Sequence, residues 1–424
     1  MSALATMLDL TAGLTSASRP ASGLAKKRSV LLQMDQLDPV VLIVCLGLLS
    51  IGIVMVASAS ISIADRNLSS PFYYLQRQLV FALIGLVAAS VVYQIRLVQW
   101  EKSGVALLGF ALFLLVLVLI PGVGKTVNGS TRWISMGVLN LQVSEVVKLF
   151  LLIYVAGYLV RHGEEVRNSL WGFIKPMLMV GVAGLLLLLE PDFGSTVVII
   201  GTVLVMTFLG GVRFTQFAAF LVLFCGAAMM LVVSSPYRME RLTSFMNPWA
   251  DPFDTGFQLT QSLIAIGTGG WLGTGLGGSV QKLFYLPESH TDFLFAVLSE
   301  EFGFVGVCFV ITLYSLLFFR SIKIGLQAEK SGNRFAAYLA YGIGVWITLQ
   351  AVINMGVNMG LLPTKGLTLP LMSYGGSSLV ICCMAIGLLL RINRECNVYN
   401  RQAVNHGKGK NNNGRVTKSR WSLT

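Results

Sequence analysis

Apolar residues along the chain gather into ten long runs that are separated by mostly short polar segments. A run of roughly 20 apolar residues can cross the hydrocarbon core of a bilayer, about 30 Å thick, as a single helix. Such runs are far longer than barrel strands, so the pattern predicts an all-α fold, a polytopic membrane helical bundle. The ten predicted transmembrane helices lie near residues 39–61, 78–95, 103–121, 143–160, 173–190, 194–210, 213–235, 291–319, 336–361 and 369–391.

The lengths of the intervening segments predict three regions. Residues 1–38 form an N-terminal extension, and residues 39–391 form the ten-helix membrane domain. The domain includes a large loop, residues 236–290, between the seventh and eighth helices. Residues 392–424 form a basic tail, whose polar composition predicts disorder.

Positive charge is distributed unequally between the two sides of the predicted bundle. Ten helices place both termini on one side, which carries 22 Lys and Arg residues against 8 on the other. The positive-inside rule therefore predicts cytoplasmic termini and an external 236–290 loop. The net charge of +12 is then explained by topology and attraction to anionic lipid, and nucleic-acid binding is not expected.

Composition narrows the possible chemistry further. Hydrophobic residues make up 55% of the chain and charged residues 12%, about half the charged share of soluble domains. The six cysteines lie mostly in apolar runs, and the three histidines are far apart, so neither a disulfide framework nor a histidine–cysteine metal site is expected. No cofactor is assigned, and a divalent cation (Mg²⁺ or Mn²⁺) held by carboxylates stays open, with its ligands unknown.

Residues 267–279 contain seven glycines. Gly273, Gly275 and Gly278 have the spacing of a dinucleotide-binding loop, but no predicted strand precedes them. The segment instead predicts a tight re-entrant or surface-hugging loop whose bare backbone approaches a ligand.

Several ionisable residues fall inside or beside apolar runs, where they are costly and often functional. Glu145 and Lys148 share one helix face, which fits an internal ion pair as well as a functional pair. Asp192 lies in a turn between two helices and is expected to cap the second. Glu300 and Glu301 are expected to be structural, pairing with cations of neighbouring helices.

Asp292 stands at the predicted start of the eighth helix. There the helix dipole favours its ionised form, whereas partial burial raises its pKa, and this balance suits a general base. Small residues on the same helix face permit a close helix approach or a cavity; they are Ala296, Ser299, Gly303 and Gly306. Two interpretations stay open: a helix cap formed by Thr291 or Asp292, and a lone carboxylate at the outer mouth of a groove.

A set of cationic residues falls on the predicted outer side: Arg132, Arg238, Arg241, Lys282 and Lys365. Such groups bind phosphate or pyrophosphate, and arginine does so through two parallel hydrogen bonds. Each could instead be an ordinary interfacial anchor. Together with Asp292 the set predicts an anionic lipid-linked substrate at the outer leaflet.

Two long segments identify a family resemblance. "NPWADPFDTGFQLTQSLIAIGTGGWLGTGLGGSVQKLFYLPESHTDFLFAVLSEEFGFVG" (247–306) and "GLLPTKGLTLPLMSYGGSS" (360–378) closely resemble the SEDS family of shape, elongation, division and sporulation proteins. The resemblance runs from about residue 39 to 391 and includes the ten-helix plan with its large external loop. The "PTKG" at 363–366 and the long N-terminal extension resemble the division branch more than the elongation branch.

The resemblance implies a peptidoglycan glycosyltransferase that polymerises lipid II into β-1,4-linked glycan for the septal wall, at the outer face of the bacterial cytoplasmic (inner) membrane. Asp292 matches the family's essential aspartate, for which we expect the role of general base on the acceptor 4-hydroxyl. Arg132, in "STRW", matches a position to which we assign headgroup phosphate. The remaining predicted substrate-binding residues are Glu145, Lys148, Lys282, His290 and Lys365.

The resemblance also implies partners. They are lipid II, the class B penicillin-binding transpeptidase FtsI, divisome regulators such as FtsQ, FtsL, FtsB and FtsN, and membrane lipids. Two alternatives stay open, a lipid II flippase and a non-catalytic divisome scaffold. Ten helices with glycine-rich interruptions and buried charges also suit a transporter.

Overall fold

The computed structural model describes residues 37–127, 130–137, 139–283, 285–363 and 366–410. These residues form a helical bundle with one small sheet. The helices are α1 (Pro39–Leu68), α2 (Tyr73–Gln94), α3 (Leu97–Leu119), α4 (Val143–Arg161), α5 (Gly163–Asn168), α6 (Leu170–Leu189), α7 (Phe193–Leu209), α8 (Phe214–Val233), α9 (Pro236–Met246), α10 (Phe257–Gly269), α11 (Leu294–Lys330), α12 (Arg334–Asn358) and α13 (Gly376–Lys410). The strands are β1 (Gly124–Val127), β2 (Ser130–Met136) and β3 (Leu139–Gln142).

Each of the ten predicted transmembrane helices has a counterpart, namely α1–α4, α6–α8 and α11–α13. Within the described ranges, nine are long and apolar enough to cross a membrane, while α7 is a shorter apolar helix of 17 residues. The prediction of a polytopic helical bundle is confirmed.

Both ends of the chain differ from the prediction or lie outside the described part. The helix α13 continues to Lys410, so the disorder predicted from residue 392 is wrong for residues 392–410. Residues 411–424 and most of the extension, residues 1–36, lie outside the described ranges.

A three-stranded antiparallel sheet, in the order β1-β2-β3, was not predicted. Its central strand contains Thr131, Trp133 and Ile134, residue types that pack well in a pleated sheet. The three strands have only 4, 7 and 4 residues, so the alternation along each of them is brief. The sheet fills the connection between α3 and α4 and places Arg132 on its central strand.

The predicted external loop, residues 236–290, is largely folded. It contains α9, a short 3₁₀ turn (Pro248–Ala250) and α10, followed by an irregular segment that leads to α11.

An ion pair fixes the relative direction of α1 and α11. The Asp38 carboxylate accepts hydrogen bonds from the Val40 and Val41 backbone N–H groups, which caps α1. It also pairs with Arg320 of α11 at 2.7 Å. The C-terminal half of α11 therefore lies beside the start of the bundle, and its first residue, Leu294, lies at the opposite end.

The helix α11 is broken at Gly303, whose φ of 62° and ψ of −162° are not helical. Near the break, the carbonyls of Glu300 and Glu301 accept hydrogen bonds from the Thr274 and Gly275 N–H groups, at 2.9 and 3.0 Å. On the other side, the N–H groups of Phe304 and Val305 donate to the carbonyls of Gly270 and Trp271. The loop thus supplies partners for backbone groups at the break, as a membrane environment requires.

The backbone of the glycine-rich loop therefore approaches the helix α11, and its predicted approach to a ligand stays a prediction. A Cβ atom at Gly269 or Gly273 would overlap the backbone of Ser299 or Glu301. The stripe of small residues on α11 provides close approach, one of the two uses predicted for it. Ser299 and Gly303 of that stripe are in this contact.

We predict that Gly303→Ala destabilises the fold. The backbone conformation of Gly303 is one that residues with a Cβ atom rarely adopt, at a cost of about 1–3 kcal/mol, and the added methyl would overlap the Gly273 backbone. Thermal unfolding in detergent measures the effect. Gly109→Ala in α3 is the control, because a Cβ atom there meets nothing within 4 Å. Equal melting temperatures for the two variants would contradict the interpretation.

Candidate active site

Asp292 lies just before α11, at the bundle end opposite the Asp38–Arg320 pair. Two buried amides of α12 hold its backbone: the Nδ2 atoms of Asn354 and Asn358 donate to the Asp292 carbonyl at 2.8 and 3.0 Å. The Asn358 Oδ1 also accepts from the Ala296 N–H, and Asn354 donates to the Leu367 carbonyl. The position of Asp292 is thus fixed through its main chain.

The first residue of α11 has no side-chain cap, so the capping interpretation of Thr291 or Asp292 is wrong. The Thr291 hydroxyl bonds to Glu288 instead. Among the described residues no hydrogen bond or ion pair involves the Asp292 carboxylate. It lies against Gly366, where a Cβ atom would be 3.1 Å from its Oδ2.

Burial raises the pKa of Asp292 to about 7. The negative charges of Glu288 and Asp192 add to the shift, and the Arg132 guanidinium opposes it. The residue nevertheless keeps a partly exposed surface. A reachable carboxyl group that titrates near neutral pH can accept a proton from a substrate hydroxyl.

Arg132 is positioned by the turn between α6 and α7. Its Nε donates to the Glu190 carbonyl at 3.2 Å, and its Nη2 donates to the Pro191 carbonyl and the Ser130 hydroxyl at 2.6 and 3.0 Å. Its Nη1 lies 3.9 Å from Asp192 Oδ1. The side chain is 21% exposed, so the guanidinium is held in place yet remains accessible.

Asp192 also caps α7, as predicted, by accepting from the Ser195 N–H at 3.1 Å. The neighbouring Glu190 is fully buried, and neither of its carboxyl oxygens has a hydrogen-bond partner within the described ranges. Burial, then the charge of Asp192, raises the pKa of Glu190 to about 8, although Arg132 opposes the shift. A largely protonated, neutral Glu190 is therefore expected at pH 7.

His290, two residues before Asp292, is mostly buried between two aromatic rings. Its ring centroid is 4.5 Å from that of Tyr74 and 5.6 Å from that of Tyr374, and its carbonyl accepts from the Tyr374 N–H. Burial lowers the pKa of His290, against the opposing effect of Glu288, so the imidazole is neutral at pH 7. Its predicted role in substrate binding stays a prediction.

Other predicted binding residues form internal ion pairs. Lys282 donates to Glu301 at 2.7 Å and to the Ser58 hydroxyl at 2.8 Å, and it is only 6% exposed. Glu301 is therefore paired with a cation, as expected, but this cation comes from the loop before α11 and not from a neighbouring helix. Glu300 is also structural, but its carboxylate accepts hydrogen bonds from the Ser279 hydroxyl and the Val280 N–H.

Glu145 and Lys148 form the internal ion pair that was one of the two interpretations. Lys148 donates to Glu145 at 2.8 Å and to Gln350 at 2.7 Å, and its side chain is fully buried above the Trp346 ring. A role for the pair in substrate binding stays a prediction.

Some of the predicted site cannot be placed. Lys365 lies outside the described residues, and the side chain of Arg238 is likewise not described. Within the described ranges no group of three or more His, Cys, Asp or Glu residues is arranged to hold a metal ion. The divalent cation that the sequence left open is therefore not assigned ligands, and no step below uses one.

The sequence interpretation missed Asn354 and Asn358. The only available signal was two amides four residues apart in the apolar run of the ninth helix, a spacing that puts them on one helix face. Glu288 was also missed, although it lies only four residues before Asp292.

Comparison with known proteins places this arrangement in a family. The family model described as "Cell cycle protein", which covers FtsW, RodA and SpoVE, matches residues 39–398. The chain belongs to the FtsW, RodA and SpoVE family. It is 62% identical over 350 residues to a protein of Thioalkalivibrio sulfidiphilus named probable peptidoglycan glycosyltransferase FtsW. The matched region covers 82% of this chain and 88% of the relative.

Other relatives agree in sequence and in fold. A Legionella pneumophila protein with the same name is 55% identical over 82% of this chain and 89% of its own length. A chain of a solved peptidoglycan synthase complex that couples polymerisation and crosslinking has a TM-score of 0.70 and 30% identity, covering 85% of this chain and 98% of its own. The rod shape determining protein RodA of Thermus thermophilus has a TM-score of 0.62 and 27% identity, with 85% and 97% coverage.

We predict that Lys282→Met destabilises the protein by about 3–5 kcal/mol, because it leaves the Glu301 carboxylate buried without its cation. Adding Glu301→Gln should recover much of the loss. Lys175→Met is the matched control, since its pair with Glu165 is exposed and contributes little. Thermal unfolding measures all three. A Lys282→Met protein that melts like the wild type but loses activity would instead support a binding role for Lys282.

Proposed function

We propose that this protein is a peptidoglycan glycosyltransferase that polymerises lipid II into β-1,4-linked glycan strands. Membership of the FtsW, RodA and SpoVE family supports the activity. The observation that carries the assignment to this site is the Asp292 carboxyl group. It is reachable, its backbone is fixed, and it titrates near pH 7 beside an accessible arginine.

In the proposed reaction, the 4-hydroxyl of the acceptor sugar attacks the anomeric carbon of a lipid-linked donor. Asp292 accepts the hydroxyl proton as the new C–O bond forms, and the bond from the anomeric carbon to the pyrophosphate oxygen breaks. Attack from the face opposite the leaving group inverts the configuration, as a β linkage requires. Undecaprenyl pyrophosphate leaves with the bonding electron pair.

Arg132 stabilises the negative charge that develops on the leaving pyrophosphate. Backbone carbonyls and Ser130 occupy its Nε and Nη2, whereas Nη1 has only the 3.9 Å contact with Asp192 among the described residues. An arginine nitrogen that is already oriented can donate to phosphate with little reorganisation. Its positive charge also favours the ionised form of Asp292.

The membrane side of the activity, its cellular location and its partners are inferred from topology and family membership. The excess of Lys and Arg on the side of the termini supports cytoplasmic termini, which puts Asp292 at the outer face of the cytoplasmic membrane. There the protein works at the division septum with a class B transpeptidase of the FtsI type, under regulators such as FtsQ, FtsL, FtsB and FtsN. The solved peptidoglycan synthase complex supports the pairing with a crosslinking enzyme.

The structure offers little support for the flippase alternative. The buried charges that could line a path across the bilayer, Glu145 and Lys148, pair with each other and with Gln350. Glu300 is occupied by Ser279 and by backbone N–H groups.

We predict that Asp292→Asn abolishes glycan formation while the protein stays folded. The amide has nearly the same shape but cannot accept the proton as a carboxylate does. The assay follows glycan chains made from purified lipid II by detergent-solubilised protein copurified with its transpeptidase. Glu165→Gln, in an exposed pair far from the site in sequence, is the control and should polymerise like the wild type.

Two results would contradict the proposal. Polymerisation by Asp292→Asn at the wild-type rate would show that Asp292 is not the general base. If neither the wild type nor Asp292→Asn polymerises lipid II, while both move it between the leaflets of proteoliposomes, the flippase alternative would be favoured.

A further inference from the structure

A cavity lies at the other end of the bundle from Asp292. It has a volume of about 510 Å³ and is bounded by α1, α2 and α13. Its inner wall is apolar and includes Cys45, Leu49, Leu86 and Cys383. The volume is that of a ligand-binding pocket rather than a packing defect.

The cavity has a polar, cationic mouth. Arg394 lines it near the end of the apolar part of α13 (Gly376–Tyr399), with its guanidinium 5.2 Å from the centre of the Tyr93 ring. The Tyr93 hydroxyl is buried in the same wall and has no hydrogen-bond partner among the described residues. Glu395, the adjacent acid, is held by Arg391 and by the Leu97 N–H, so it is not directed at the mouth.

The dimensions fit one leaflet of a bilayer. At about 1.5 Å per helical residue, Cys383 and Arg394 are about 16 Å apart along α13. That is about half of the 30 Å hydrocarbon core, the depth of a single leaflet. A molecule that fills the cavity therefore has one apolar chain of leaflet depth and a headgroup beside Arg394.

From these features we propose that the groove between α1, α2 and α13 binds a phospholipid with an anionic headgroup. One acyl chain occupies the cavity, and the headgroup phosphate accepts hydrogen bonds from Arg394 and, after a small movement of its ring, from the Tyr93 hydroxyl. The bound lipid fills the space beside α1 and the closely packed helices α2 and α13, where a Cβ atom at Gly387 would overlap the Ala89 backbone. The site is independent of the proposed glycosyl transfer.

The test uses full-length protein in nanodiscs that contain equal amounts of phosphatidylglycerol and phosphatidylcholine. Native mass spectrometry of the released protein counts the lipids that each variant retains. Wild type should retain phosphatidylglycerol in preference to phosphatidylcholine, and Arg394→Gln should reduce that preference about five- to tenfold. Arg334→Gln, an exposed arginine at the start of α12, should leave the preference unchanged.

A second variant tests the groove itself. Ser90→Trp places an indole in the cavity wall and should abolish retention of both lipids while the protein elutes as a folded monodisperse species. Three results would overturn the proposal: equal retention of the two lipids by wild type, an equal effect of Arg334→Gln and Arg394→Gln, or unchanged retention in Ser90→Trp. The last would mean that the retained lipid lies on the outer surface of the bundle.

Discussion

An unpaired charge is very costly inside a membrane protein, and this constraint organises the structure. Lys282 pairs with Glu301, Lys148 with Glu145, and Arg320 with Asp38. Each of these pairs joins elements of the bundle or lies within one buried helix. Among the described residues neither Asp292 nor Glu190 has a partner for its carboxyl group, and of these two only Asp292 is partly exposed.

A second constraint, that backbone groups must be hydrogen-bonded in lipid, explains how Asp292 is held. The break at Gly303 ties α11 to the glycine-rich loop, and the Lys282–Glu301 pair ties the segment after that loop to the same helix. At the start of α11, Asn354 and Asn358 bind the Asp292 carbonyl. The main chain of Asp292 is thus held by α12, while its carboxyl group has no partner among the described residues.

The sequence predicted the helical bundle well, because it depends on local signals, and a local signal also singled out Asp292, whose role as the base stays a prediction. Long apolar runs define the helices, and an aspartate at the edge of such a run is unusual. The sheet that places Arg132 is formed by neighbouring strands, and the sequence interpretation overlooked it. The two amides that hold Asp292 depend on a contact between distant segments, which no spacing along the chain reveals. For the same reason Lys282 was grouped with the cations of the predicted outer side, whereas its side chain is buried and paired with Glu301. The composition of the glycine-rich loop indicated a close approach of its backbone, but it did not indicate that the backbone of α11 is what it approaches.

The pH dependence of kcat/KM for lipid II polymerisation tests the central claim most directly. If Asp292 is the base, the rate should fall about tenfold per pH unit below the pKa of about 7 and level off above it, because only the ionised form accepts a proton. Glu288→Gln should move this midpoint to lower pH, since the negative charge of Glu288 raises the pKa of Asp292. A profile that is flat between pH 5.5 and 8, or a midpoint unchanged in Glu288→Gln, would contradict the account.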